Sequence, residues 1–114
     1  MARERIAINP SNYASRMSNK LVETLGATRP ITMAEIEQYN GFAFDPGGAA
    51  RDVTLPAEAA CTGVIIFISN QADAAEVITV KNDGGNAIVT PTQAEAALLW
   101  CDGVTWYGLV GAQS

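Results

Sequence analysis

Residues 98–111 read LLWCDGVTWYGLVG. Two runs of large apolar side chains flank Asp102-Gly103, a pair suited to the positive φ of a tight turn. This pattern predicts a β-hairpin, with "AALLWC" (96–101) and "TWYGLV" (105–110) joined across Asp102-Gly103-Val104. Trp100 and Trp106 are then expected roughly opposite one another, with Tyr107 alongside. Cross-strand aromatic pairs add ~0.2–1 kcal/mol, and burying an indole adds more. The expected role of Trp100, Asp102, Gly103, Trp106 and Tyr107 is therefore structural: they close a sheet rather than stack on a ligand.

Upstream, from residue 51 onward, every segment reads as strand. "RDVTLPA" (51–57) alternates Val53 and Leu55 with polar partners, and Pro56 ends or edges it. "GVIIFISN" (63–70) is apolar on both faces, as in a central strand. "EVITVKN" (76–82) alternates again, Asp83–Asn86 signals a tight turn, and "AIVTP" (87–91) returns as the hairpin partner. Short strands at close, even spacing predict a mainly β fold, a small antiparallel sandwich or barrel-like domain over residues 29–114. Ahead of it, Phe42 and Phe44 stand at strand spacing and "DPGG" (45–48) is turn chemistry. Thr32 and Glu35 fit a capping box, so residues 33–39 read as a short helix or, nearly as well, as a strand.

Residues 1–28 stand apart. They hold four of the seven basic residues and keep no period of two or 3.6. They read as an extended arm, with Ile6, Ile8, Tyr13, Met17, Leu21, Val22 and Leu25 as apolar anchors for a partner surface.

Bulk composition narrows the chemistry. The 114 residues are one domain's worth, 48% hydrophobic, with a net charge of −5. Such a balance is repelled by phosphate backbones and anionic lipid, so neither nucleic acid nor membrane is an expected partner. No apolar run spans a bilayer, and the charged start does not read as a signal peptide. There is no histidine, which removes the usual acid–base group near neutral pH and the commonest metal ligand. Cys61 and Cys101 form no zinc spacing and read as buried thiols in a reducing compartment, a bridge between them being the lesser alternative. Asp73, Glu76, Asp83 and Asp102 lack calcium-loop spacing. Neither "DPGG" nor "NDGGN" leads into a helix, so neither is a phosphate cradle. No enzyme, cofactor or metal site is expected.

The run from Ile78 to Gly85, with Ile88–Pro91 and then Asp102, Gly103, Trp106 and Tyr107, resembles a pattern of tailed-bacteriophage virion proteins. There a strand "xITVKNxGG" turns into "xIxVTP", and an apolar strand, a "DG" turn and a "WY" strand follow. "RDVTLPAEA" (Arg51–Ala59) is similar to the strand that often precedes it. The pattern occurs in head decoration (cement) proteins and in β domains of tail fibres and spikes. The chain length and lack of internal repeats favour the decoration class. That resemblance implies a homotrimer on the outer head surface, assembled in the host cytoplasm, which stabilises capsomers by contact with the major capsid protein. The alternative it implies is a fibre or spike module that binds a host receptor or glycan.

Overall fold

The computed structural model describes residues 17–112. It is mainly β, with nine strands in two sheets, one short α-helix and a 3-10 turn at Glu58–Ala60. The strands are β1 (Glu23–Thr24), β2 (Arg29–Pro30), β3 (Gly41–Asp45), β4 (Arg51–Thr54), β5 (Ile65–Asn70), β6 (Ile78–Lys81), β7 (Ala87–Val89), β8 (Glu95–Cys101) and β9 (Trp106–Ala112). One sheet runs β1-β3-β5-β8-β9 and the other β2-β4-β6-β7.

The two predicted hairpins form, as β6–β7 and β8–β9, both antiparallel. The rest of the pairing is not the expected antiparallel one. β1, β3 and β5 are mutually parallel, as are β2, β4 and β6. The reason is the route of the chain, whose first six strands alternate between the sheets. Each short connection is a corner from one sheet to the other, and each strand returns beside its predecessor-but-one in the same direction. The "DPGG" turn is such a corner. Gly47 has φ +77° and lies so near the Leu25 carbonyl that a β-carbon would sit 2.5 Å from its oxygen, so only glycine fits.

Between the sheets lies one core. Phe42, Phe44, Ile66, Ile68, Leu99 and Trp106 come from the larger sheet and Val53, Ile78 and Val80 from the smaller. Each such side chain contributes ~1.5–3 kcal/mol on burial. Phe42 and Phe44 stack at 6.1 Å, and Tyr39 meets Phe42 edge-on at 6.3 Å. Cys61 and Cys101 are both buried free thiols. Burial pushes both thiols above their usual range, which removes thiolate reactivity.

Residues 33–38 are helix (α1, Met33–Gln38), and the capping box sets it. The Glu35 N–H donates to Thr32 Oγ1 at 3.2 Å, and the Thr32 N–H donates to Glu35 Oε1 at 3.0 Å. Glu35 also binds Arg29, whose guanidinium reaches across the open edge to Glu23 Oε2 at 2.9 Å and lies over the Phe44 ring. One arginine thus ties β1, β2 and α1 together. The arm boundary at residue 28 is corrected by the same region. Ser18 accepts from the Asn40 N–H at 2.9 Å, Lys20 N–H donates to Gly41 at 2.9 Å, and β1 pairs with β3. Leu25 is in the core, 4% exposed. Among its described residues Leu25 is the one buried side chain, so no apolar period runs through residues 17–28.

The Arg29 cluster makes stability acid-sensitive. Its guanidinium, with the Thr32 N–H, holds the Glu35 carboxyl at about 2, and Arg29 lowers Glu23 as well. A carboxyl depressed in the folded state adds stability above its unfolded pKa, ~4.3, and loses it as pH falls toward the folded value. The expected melting temperature therefore drops between about pH 4.5 and pH 2. Glu35→Gln flattens that limb in thermal unfolding followed by circular dichroism; an unchanged limb would refute the assignment.

Candidate interaction surface

Strand alternation gives each sheet an inner and an outer face. On the larger sheet the inner set is Phe42 and Phe44, Ile66 and Ile68, Ala97, Leu99 and Cys101, and Trp106. Through the paired registers, the outer set is Ala43, then Ile65, Phe67 and Ser69, then Ala96, Leu98 and Trp100, then Tyr107 and Leu109. Both sets are apolar apart from Ser69, and only the inner one is buried. The outer face of the smaller sheet is ordinary by contrast, carrying Thr79 and a Lys81–Asp52 ion pair at 2.8 Å.

The expected Trp100–Trp106 pairing is replaced by a register one residue away. Trp100 lies opposite Tyr107, and Trp106 opposite Cys101, because the turn takes four residues, Asp102–Thr105. A one-residue change moves a side chain to the other face. Trp106 is therefore buried, at 4% exposure, with its indole N–H donating to the Pro56 carbonyl at 3.0 Å. Trp100 and Tyr107 are 46% and 48% exposed and stack on each other at 5.2 Å with planes 26° apart. Asp102 shapes the turn by accepting from the Thr105 and Val104 N–H groups at 2.8 and 2.9 Å, which hold its carboxyl below the usual range. Gly103 supplies the left-handed residue at φ +99°.

Around the stack the surface stays apolar. Leu109 is 68% exposed, and Ile65 and Val104 are also exposed. Three shallow grooves of about 360, 380 and 410 Å³ follow one another along the face. Leu98 and Leu109 line the first two, while Phe67 and Ala96 line the last two. At the far end the leading segment supplies the wall, through Met17, Leu21 and Val22, all exposed. Of the proposed arm anchors, then, Met17, Leu21 and Val22 border this face, Leu25 belongs to the core, and Ile6, Ile8 and Tyr13 lie outside the described residues. At Gly108 the inner face admits Val89 of β7, whose Cγ1 would lie 2.7 Å from a β-carbon there, so the two sheets close on each other at that point.

Sequence reading missed Ile65, Phe67, Leu98 and Leu109 as surface residues. The signal was present: "VIIFI" and "ALLW" are apolar at consecutive positions, whereas a sheet with one wet face alternates. Burial on both sides is the usual reason for such runs, and here only one side is buried.

Among the described residues, carboxylates gather at one other place. Asp45, Asp73 and Glu76 bring carboxylate oxygens within 4.8 Å of one another, and Glu76 Oε1 is buried without a hydrogen-bond partner. Asp83 and Asp102 sit apart on the two hairpin turns. Among the described residues no helix is long and apolar enough to cross a membrane. Compared with known proteins, the chain matches no family model, no curated protein and no solved structure.

Proposed function

We propose that this protein is a structural virion protein of a tailed bacteriophage, a decoration protein that sits on the outer head as a homotrimer and binds the major capsid protein. The observation that carries the reading is the apolar outer sheet face on a chain of net charge −5. Exposed apolar surface of that extent marks a site of association rather than of turnover. The resemblance of its strand–turn motifs to those of phage virion proteins supports a particle as the place of that association. In this reading residues 1–16 contact the capsid, and three copies on one rigid body raise one another's effective concentration.

The test uses heads that lack the protein. Purified full-length chain is expected to co-sediment with them, and gold-labelled antibody to mark heads rather than tails. Deleting residues 2–16 spares Leu25 and β1, and head affinity is expected to fall at least tenfold, or about 1.4 kcal/mol. Wild-type affinity after that deletion would remove the capsid role of the arm. The exposed Trp100–Tyr107 stack favours a second reading, a fibre or spike module that holds a receptor glycan. Label on tails would select it.

A further inference from the structure

We infer that the outer face of the five-stranded sheet, centred on the Trp100–Tyr107 stack and Leu109, is where copies of this chain pack on one another. The inference rests on the assembly reading above and names the surface that would build the oligomer.

Charge selects the occupant. The five strands carry only three charged residues, Glu23, Asp45 and Glu95, all at strand ends. A basic peptide or a phosphate polymer would find nothing to pair with in the middle of the face. Two molecules of net charge −5 repel one another over most of their surfaces, and an uncharged face is where they can meet. Chemistry points the same way. Ser69, the Trp100 indole N–H and the Tyr107 hydroxyl are the polar groups of this face, and Ile65, Phe67, Leu98 and Leu109 fill the space between them, so most of the area is apolar, as in the core of a contact between chains.

Size and shape agree. Five strands of two to seven residues, at ~4.8 Å spacing and ~3.3 Å per residue, cover roughly 400 Å² in projection. Side-chain relief brings the accessible area toward the ~800 Å² that each partner contributes to a standard interface. Ala43, Ala96 and Gly111 leave hollows between the large side chains, so those of a facing sheet can interdigitate at the usual ~10 Å.

Sedimentation of the full chain at micromolar concentration tests this. The wild-type mass is expected to be a multiple of 12.0 kDa. Leu109→Asp and Trp100→Asp are each expected to sediment as single chains with unchanged circular dichroism. Thr79→Lys, on the opposite outer face, is expected to keep the oligomer. A single-chain wild type, an oligomer that survives both aspartates, or equal disruption by Thr79→Lys would each overturn the inference. A single-chain wild type would also remove the homotrimer from the proposed function, whereas an oligomer that survives the aspartates overturns only this surface, and head labelling tests the location independently of both. Fluorescence gives an independent measurement. Trp106→Phe leaves Trp100 as the sole indole, and its quenching by acrylamide is expected to rise on dilution as the oligomer separates. Quenching that does not change with concentration overturns the inference. So does a monomer in which Trp100 is shielded by residues 2–16, as judged by their deletion, or by added oligosaccharide.

Discussion

Trp106→Ala is expected to lower the unfolding free energy by about 3–5 kcal/mol, the range for deleting a large buried aromatic side chain. The indole is almost wholly enclosed, and its N–H is the donor found for the Pro56 carbonyl. Removing it leaves a cavity beside Cys101 at the closing hairpin and strips a partner from a backbone carbonyl, and the two costs add. Small domains hold only about 5–15 kcal/mol in all, so the variant stands close to unfolding at room temperature. Urea unfolding followed by circular dichroism measures the loss. Two companions separate the causes. Trp106→Phe keeps part of the volume but not the N–H, and should cost about half as much. Trp100→Ala removes an equally large ring from the solvent side and should change the stability of the single chain by no more than ~1 kcal/mol. If the two alanine variants proved equally destabilising, the assignment of one tryptophan to the core and the other to the surface would be wrong.

That assignment also shows what the sequence could and could not disclose. Local chemistry was legible: Thr32 and Glu35 make the capping box, and the turns at Asp83–Asn86 and Asp102-Gly103 make the hairpins. Pairing between strands distant in the chain was not. A strand followed by a short turn looks the same whether the turn reverses within a sheet or crosses to the facing one, so the parallel sets β1-β3-β5 and β2-β4-β6 left no mark. Register was lost for a related reason. With Trp100 and Trp106 both beside the turn, one residue more or less in the loop decides which of them is buried, and hydrophobicity does not distinguish them. The leading segment failed differently. Among its described residues a single inward side chain, Leu25, anchors it, and one residue has no period.

Asn70→Leu is the other substitution with a large expected cost, about 3 kcal/mol, and it concerns a residue that reads as an ordinary strand end. Asn70 is the one buried polar residue among those described. Its amide NH₂ donates to the Glu76 carbonyl at 2.9 Å and the Pro91 carbonyl at 3.1 Å, and its Oδ1 accepts from the Ala72 N–H at 2.9 Å. The side chain thereby pins the β5–β6 loop to the end of β5 and to the segment that leaves β7. Leucine has similar volume but forfeits all three bonds, at about 1 kcal/mol net each, and strands the Ala72 N–H and Glu76 carbonyl. Asn70→Asp is the sharper probe. Its ionised carboxylate would face two carbonyl oxygens with no proton to offer, so at neutral pH it should be at least as damaging as leucine. Burial and those two acceptors raise the folded pKa of that carboxyl above its unfolded value. A raised pKa means that the protonated form is favoured by folding, so the aspartate variant regains stability relative to wild type as pH falls and loses it as pH rises. Differential unfolding measurements of the two proteins from about pH 7 down to about pH 4 should therefore converge. If the gap stayed constant, or widened in acid, the residue at position 70 would not be donating to those carbonyls.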